Sequence, residues 1–203
     1  MDKMDDNEQL EILTQQIFRA RIYYDLWWTS VGSETPLANA KSLEEFSEFL
    51  RFDAHAHFVT MIIHCATVWD NKYISLPRLG NEILGQERFG IHSTIWTAIC
   101  DQKELANGIM KIRNEAIAHR SKFYDYDAVF ERAKVIPDVL PKMMTSWLDL
   151  VNELKTIRGM KCDKVTGETD FNNLPLLDMQ KLIHKLGGPD LQPRTCLDEI
   201  LKA

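Results

Sequence analysis

Apolar residues return at every third or fourth position along most of this chain, and that spacing leaves few folds open to it. Leu10, Leu13, Ile17, Ala20, Tyr24 and Trp27 follow a 3-4-3-4-3 spacing, and Leu140, Met143, Trp147, Leu150, Leu154 and Ile157 repeat it. An α-helix turns once in ~3.6 residues, so each set falls on one stripe that another element must cover. No convincing run of period-two alternation appears, so no strand is expected.

The punctuation between the stripes is helical too. Gly32 and Pro36 break the first helix, and Ser42 with Glu45 forms a capping-box pattern opening a second that runs to about Asp70. Its buried stripe reads Leu50, Ala54, Phe58, Met61, Cys65 and Val68. Ser75 before Pro77 starts a short third helix, Gly85 and Gly90 bracket a loop, and 93–121 is helical again. Asp101 and Glu104 make a second capping box that interrupts that stretch, and Pro137 and Pro141 precede the last long helix. The economical fold is all-α: an up-down bundle of four to five helices over 1–160, entered by an N-terminal helix. Residues 161–203 read as a small helical C-terminal appendage, polar and turn-rich through KCDKVTGETDFNN and then helical from Pro175 to Leu186 before Gly187-Gly188.

Composition narrows the function. With 203 residues, 45% of them hydrophobic, the chain can bury a sizeable core, and its formal charge of −6 argues against indiscriminate coating of nucleic acid. Cys65, Cys100, Cys162 and Cys196 are widely spaced without a C-x-x-C pair, so reduced thiols and no clustered metal are expected. The acidic start MDKMDDNEQL is unlike a secretory leader, and the longest apolar run, Phe58 to Trp69, is too short to span a bilayer. A cytoplasmic protein with no membrane association is expected.

Against that acidic background, four Lys or Arg and one Glu lie between Lys111 and Lys122. Within this stretch stands Arg113-Asn114-Glu115-Ala116-Ile117-Ala118-His119-Arg120. It places a permanent cation, a carboxamide and an imidazole on a helix-forming run, groups suited to holding and cleaving a phosphodiester. A neutral imidazole, with an ordinary pKa near ~6.5, can take a proton from a ribose 2′-hydroxyl. A forked guanidinium can stabilise a phosphate oxygen. Spacing alone says little, because Arg51 and His57 show the same R-x5-H separation. His119 also continues a stripe with Leu105, Ile109, Ile112 and Ala116, as a core histidine would.

The whole string resembles the motif of the HEPN superfamily, helical bundles that include metal-independent ribonucleases of toxin–antitoxin, CRISPR and phage-defence systems. Thr67-Val68-Trp69-Asp70 leading to Ser75-Leu76 resembles the region before the motif helix in the abortive-infection, AbiU-type branch. The resemblance covers roughly residues 40–160. It implies that Arg113 and His119 are a catalytic pair and that Asn114 assists them; Lys111, Arg120 and Lys122 of the basic stretch, with His57 and Arg51 of the second helix, are the expected substrate contacts. It implies further an RNA substrate, a homodimer, an antitoxin or other protein partner, and no cofactor or metal. On an ideal helix Arg113 and His119 point about 120° apart with ~9 Å of rise between them, so one helix cannot easily clamp a phosphate with both. Two motif helices across a two-fold axis can, as in the superfamily's composite sites. The tyrosine found two residues after the histidine in one subgroup is replaced here, since Arg120-Ser121 follow His119.

A second constellation lies on the long second helix, where Asp53, His57, Thr60, His64, Thr67 and Asn71 form a polar row at 4-3-4-3-4 spacing. It reads as a solvated stripe, as a wall of the motif's cleft, or as a metal site built on Asp53, His57 and His64. Three functions therefore compete: a HEPN-type endoribonuclease acting as toxin or phage-defence effector, a non-catalytic dimerisation or RNA- or nucleotide-binding module, and a metal-dependent hydrolase.

Overall fold

A computed structural model of the chain describes residues 4–31, 44, 46–72, 74–115, 126–162 and 174–185. The helices are α1 (Asp6–Val31), α2 (Ser47–Trp69), α3 (Leu76–Leu84), α4 (Ser93–Asp101), α5 (Lys103–Arg113), α6 (Tyr126–Ala133), α7 (Leu140–Ile157) and α8 (Leu174–Lys185). Short 3₁₀ turns at Gly85–Phe89 and Pro137–Val139 follow α3 and precede α7, and no strand occurs among the described residues. The protein is an all-α bundle.

Two compact units divide the chain, one comprising 1–20 and 62–163, the other 21–61 and 164–203. In the first unit the apolar stripe of α7 is buried through Leu140, Met143, Trp147, Leu150 and Leu154. α3 and α4 pack on one another and on α7, and α5 packs on α6. Ion pairs tie α7 to the start of α1: Lys155, buried along its stem, reaches Glu11 at 2.7 Å, and Arg158 reaches Asp6. In the second unit Tyr24, Trp27 and Phe58 form an aromatic cluster, with the Trp27 and Phe58 ring centres 5.6 Å apart. The helix expected in 161–203 is α8, whose Met179 and Ile183 join Leu26 and Leu50 in an apolar cluster.

Some expectations change in detail. The segment between Gly85 and Gly90 is a 3₁₀ turn rather than an open loop. The interruption near Asp101 is present, but Asp101 ends α4 and Gln102 caps α5 without a side-chain bond, so the capping box does not form. Ser75 precedes α3 as expected, yet its hydroxyl donates to Asn71 Oδ1 at 3.4 Å instead of capping the helix. The Ser42–Glu45 capping box and Gly187-Gly188 lie outside the described residues. α6 carried no expectation, although Val129 and Phe130 are buried on it.

α6 ends where Lys134 adopts φ +56°, a left-handed turn that lets the Val135 N–H bond to Phe130 O at 3.1 Å. The turn throws Val135 back onto α5 at Gly108. A Cβ on Gly108 meets Val135 Cγ2 at 2.4 Å and the Ala133 carbonyl at 3.1 Å. Gly108→Ala should therefore destabilise the fold by about 1–3 kcal/mol through overpacking, despite alanine's better helix propensity. Urea denaturation measures it, and pairing the change with Val135→Ala should recover part of the loss. A Gly108→Ala variant as stable as wild type would show that α5 and the α6 turn do not pack this closely.

Candidate functional site

Arg113 closes α5, whose buried face is Ala106, Gly108, Ile109 and Ile112. Lys111 and Glu115 sit one turn apart and lace α5 to α6. The Lys111 ammonium donates to the Arg132 carbonyl at 2.7 Å, and Arg132 Nε pairs with Glu115 at 3.0 Å. Arg113 lies ~200° round the helix from Lys111 and so faces away from α6. The helix does not end regularly, because Asn114 and Glu115 continue in a π-helical turn. Such widened turns are common at functional sites.

The guanidinium of Arg113 is held from two sides. Nη1 donates to Asp70 Oδ2 at 2.9 Å, while Nε and Nη2 donate to Asn114 Oδ1 at 3.3 and 3.2 Å. Asp70 comes from the end of α2, 43 positions earlier in the chain. Its side chain is 10% exposed, and that of Arg113 is 28% exposed. The position of Asp70 is itself fixed. Its N–H donates to Ala66 O at 2.9 Å, its Oδ1 accepts the Lys72 N–H at 3.1 Å, and the preceding Trp69 stacks on Trp147 of α7 with ring centres 6.0 Å apart.

The electrostatics follow. A carboxylate at a helix C-terminus faces the negative end of the backbone dipole, and burial disfavours its charge further. The Arg113 hydrogen bond outweighs the burial and holds the Asp70 carboxyl below the usual aspartate range, helped by the Lys72 N–H. The pair is thus an anchored anion presenting an oriented cation. An Arg in that state has the charge and the fork to receive a phosphate oxygen.

The other residues singled out by sequence fall in several places. Arg113 and Asn114 are together in the first unit, and Lys111, in the same unit, has its ammonium on the Arg132 carbonyl. His119, Arg120 and Lys122 lie outside the described residues. Arg51 and His57 belong to the second unit. Arg51 pairs with Glu48 at 2.7 Å and lines an apolar groove of about 610 Å³ with Leu50, Ala54, Met179 and Ile183. The His57 ring lies tilted against Tyr23 with ring centres 5.8 Å apart, its Nδ1 3.4 Å from Asp53 but poorly aligned for a hydrogen bond. His64, in the first unit, meets Gln16 Oε1 through Nδ1 at 2.6 Å, and burial, with Arg19 nearby, lowers its pKa. No three His, Cys, Asp or Glu side chains among the described residues are grouped to hold a metal ion. Cys65, Cys100 and Cys162 are free thiols, and burial pushes Cys65 up to about 12. No described helix is long and apolar enough to cross a membrane.

Asp70 is the site residue that sequence reasoning did not pick out. The signal was present, an acidic residue inside the segment Thr67-Val68-Trp69-Asp70, but nothing in the spacing joined it to Arg113. Because its folded pKa is depressed below the ordinary 3.8, the stability it contributes is complete above that value and lost as pH falls through the folded pKa. Asp70→Asn should cost on the order of 2 kcal/mol near neutrality, between the values for exposed and fully buried pairs. Wild type and variant should converge in urea midpoint below pH ~3.8. A difference that is constant from neutrality to pH ~3 would exclude the ion pair as its source.

Comparison with known proteins bears on the whole bundle. The AbiU2 family of HEPN domains matches residues 7–157, a span that takes in α1 to α7 and the Arg113–His119 motif. Neither a curated protein nor a solved structure shows a significant match. The match covers most of the 203 residues, and the all-α bundle agrees with it. The chain belongs to the AbiU2 family, an abortive-infection branch of the HEPN proteins.

Proposed function

We propose that this protein is a metal-independent endoribonuclease that works as a toxin or phage-defence effector, with Arg113 and His119 as its catalytic pair. The observation that supports it is the guanidinium of Arg113, ordered by Asp70 and Asn114 yet 28% exposed at the end of the motif helix. A cation fixed in advance and still reachable is what a phosphoryl transition state requires, since no reorganisation is then needed as charge develops. His119 takes the proton from the ribose 2′-hydroxyl and the 2′-oxygen attacks phosphorus. The 5′-oxygen departs with a proton returned to it, leaving a 2′,3′-cyclic phosphate and a 5′-hydroxyl. Arg113 stabilises the non-bridging oxygens throughout. The site draws on two copies of the chain, as in the composite sites of the superfamily that the motif resembles.

The second reading, a non-catalytic binding or dimerisation module, is favoured by the same ion pair, because an Arg neutralised by a buried carboxylate also serves as a structural tie between α2 and α5. Incubation with total RNA in EDTA separates the two. The nuclease reading expects cleavage with 2′,3′-cyclic ends, reduced about 10²–10⁴-fold by His119→Ala and about 10²-fold or more by Arg113→Lys. Equal cleavage by wild type and both variants would reject the assignment. RNA that is bound but never cut would favour the module. A shared site makes one more prediction. Mixing the two inactive variants should restore measurable cleavage, because some mixed dimers then hold one complete site. Mixtures as inactive as their components, despite subunit exchange, would rule out sharing.

A further inference from the structure

We infer that Asp70 is a positioning residue for RNA cleavage, acting through Arg113 to set the plane of the guanidinium against the scissile phosphate. The inference rests on the ribonuclease reading above. Asp70 and Asn114 engage three of the five N–H groups of Arg113, and both partners are themselves constrained. Asp70 is locked at its second oxygen by the Lys72 N–H, and its backbone is held by Ala66 and by the Trp69–Trp147 stack. Asn114 is the next residue on the same helix, so it cannot drift relative to Arg113. These bonds leave one N–H group on each terminal nitrogen with which to meet a phosphate.

An unrestrained arginine carries rotamer entropy, which phosphate binding would otherwise have to overcome. Asp70 removes that freedom before substrate arrives, so orientation is gained. Its charge acts in the other direction. A carboxylate 2.9 Å from the cation weakens the attraction of Arg113 for any phosphate. The two effects separate in the kinetics, because positioning is felt in the chemical step and charge is felt in binding. A pair that serves the fold alone produces no such split.

The experiment compares wild type, Asp70→Asn and Asp70→Glu. Binding is measured with a 2′-O-methyl RNA oligonucleotide, which cannot be cut. Single-turnover cleavage is measured with the same sequence as RNA, and thermal unfolding is followed in parallel. Asp70→Asn keeps the shape and an acceptor oxygen but loses the charge. It should bind as tightly as wild type or several-fold tighter, and cleave about 10–100-fold more slowly. Asp70→Glu keeps the charge but moves the carboxylate, and should also cleave more slowly with little change in binding. Cleavage at the wild-type rate in both variants overturns the positioning role and leaves the nuclease standing. Binding and cleavage that fall together with the unfolding temperature also overturn it, and mark the pair as structural. Wild-type protein that cuts no RNA overturns the ribonuclease reading and the inference with it.

Discussion

A carboxylate taken out of water at the negative end of a helix dipole is unstable alone, and the guanidinium of Arg113 is what stabilises Asp70 there. That requirement joins the end of α2 to the end of α5 across 43 positions of sequence. It also decides where the Arg113 guanidinium points. Lys111 and Glu115 hold the opposite face of α5 to α6, and Gly108 lets Val135 seat closely against it. α5 is thus held from both sides, and Arg113 is left at its end with one face toward solvent. The ion pair and the close packing of α5 are parts of one device.

The rest of the first unit supplies rigidity to that device. α7 is buried along a full stripe, and its Trp147 stacks on Trp69, the residue just before Asp70. Ion pairs from Lys155 and Arg158 fasten the other end of α7 to the first turns of α1. Such a scaffold is not specific to one activity, and a bundle of this kind can serve unrelated roles. What distinguishes this one is the placement of a few polar groups, Asp70, Arg113 and Asn114, at one helix end. The second unit contributes an aromatic cluster and an apolar groove of its own.

Much of the fold was legible in the sequence because burial imposes a period. The residues read as stripes at Leu10–Trp27, Leu50–Val68 and Leu140–Ile157 are buried, nearly all of them almost completely, except Ile157 at the end of α7, which is half-buried. α6 escaped because it is only 8 residues long, too short for a period to stand out. The capping box at Asp101 misled because a side-chain cap is a local possibility that competes with helix continuation, and Gln102 stays helical in its backbone. For the site, Arg113 and Asn114 could be read from a contiguous string, since neighbours in sequence are neighbours on a helix. Asp70 could not, because its partner is distant in the chain and spacing carries no information about pairs. Lys111 stands out in the sequence only as a basic residue near the motif; that its ammonium donates to the Arg132 carbonyl, 21 positions on, is again a long-range pairing that spacing does not carry.

The central claim is that Arg113 meets a phosphate while Asp70 holds it in place. A crystal structure with a 2′-O-methyl RNA oligonucleotide tests it most directly. A non-bridging phosphate oxygen should lie within ~2.7–3.1 Å of the terminal nitrogens of Arg113, with the Asp70 contact intact and a His119 imidazole in reach of the 2′-oxygen. RNA bound at a surface away from Arg113, or a phosphate that reaches Arg113 only by displacing Asp70, would contradict it.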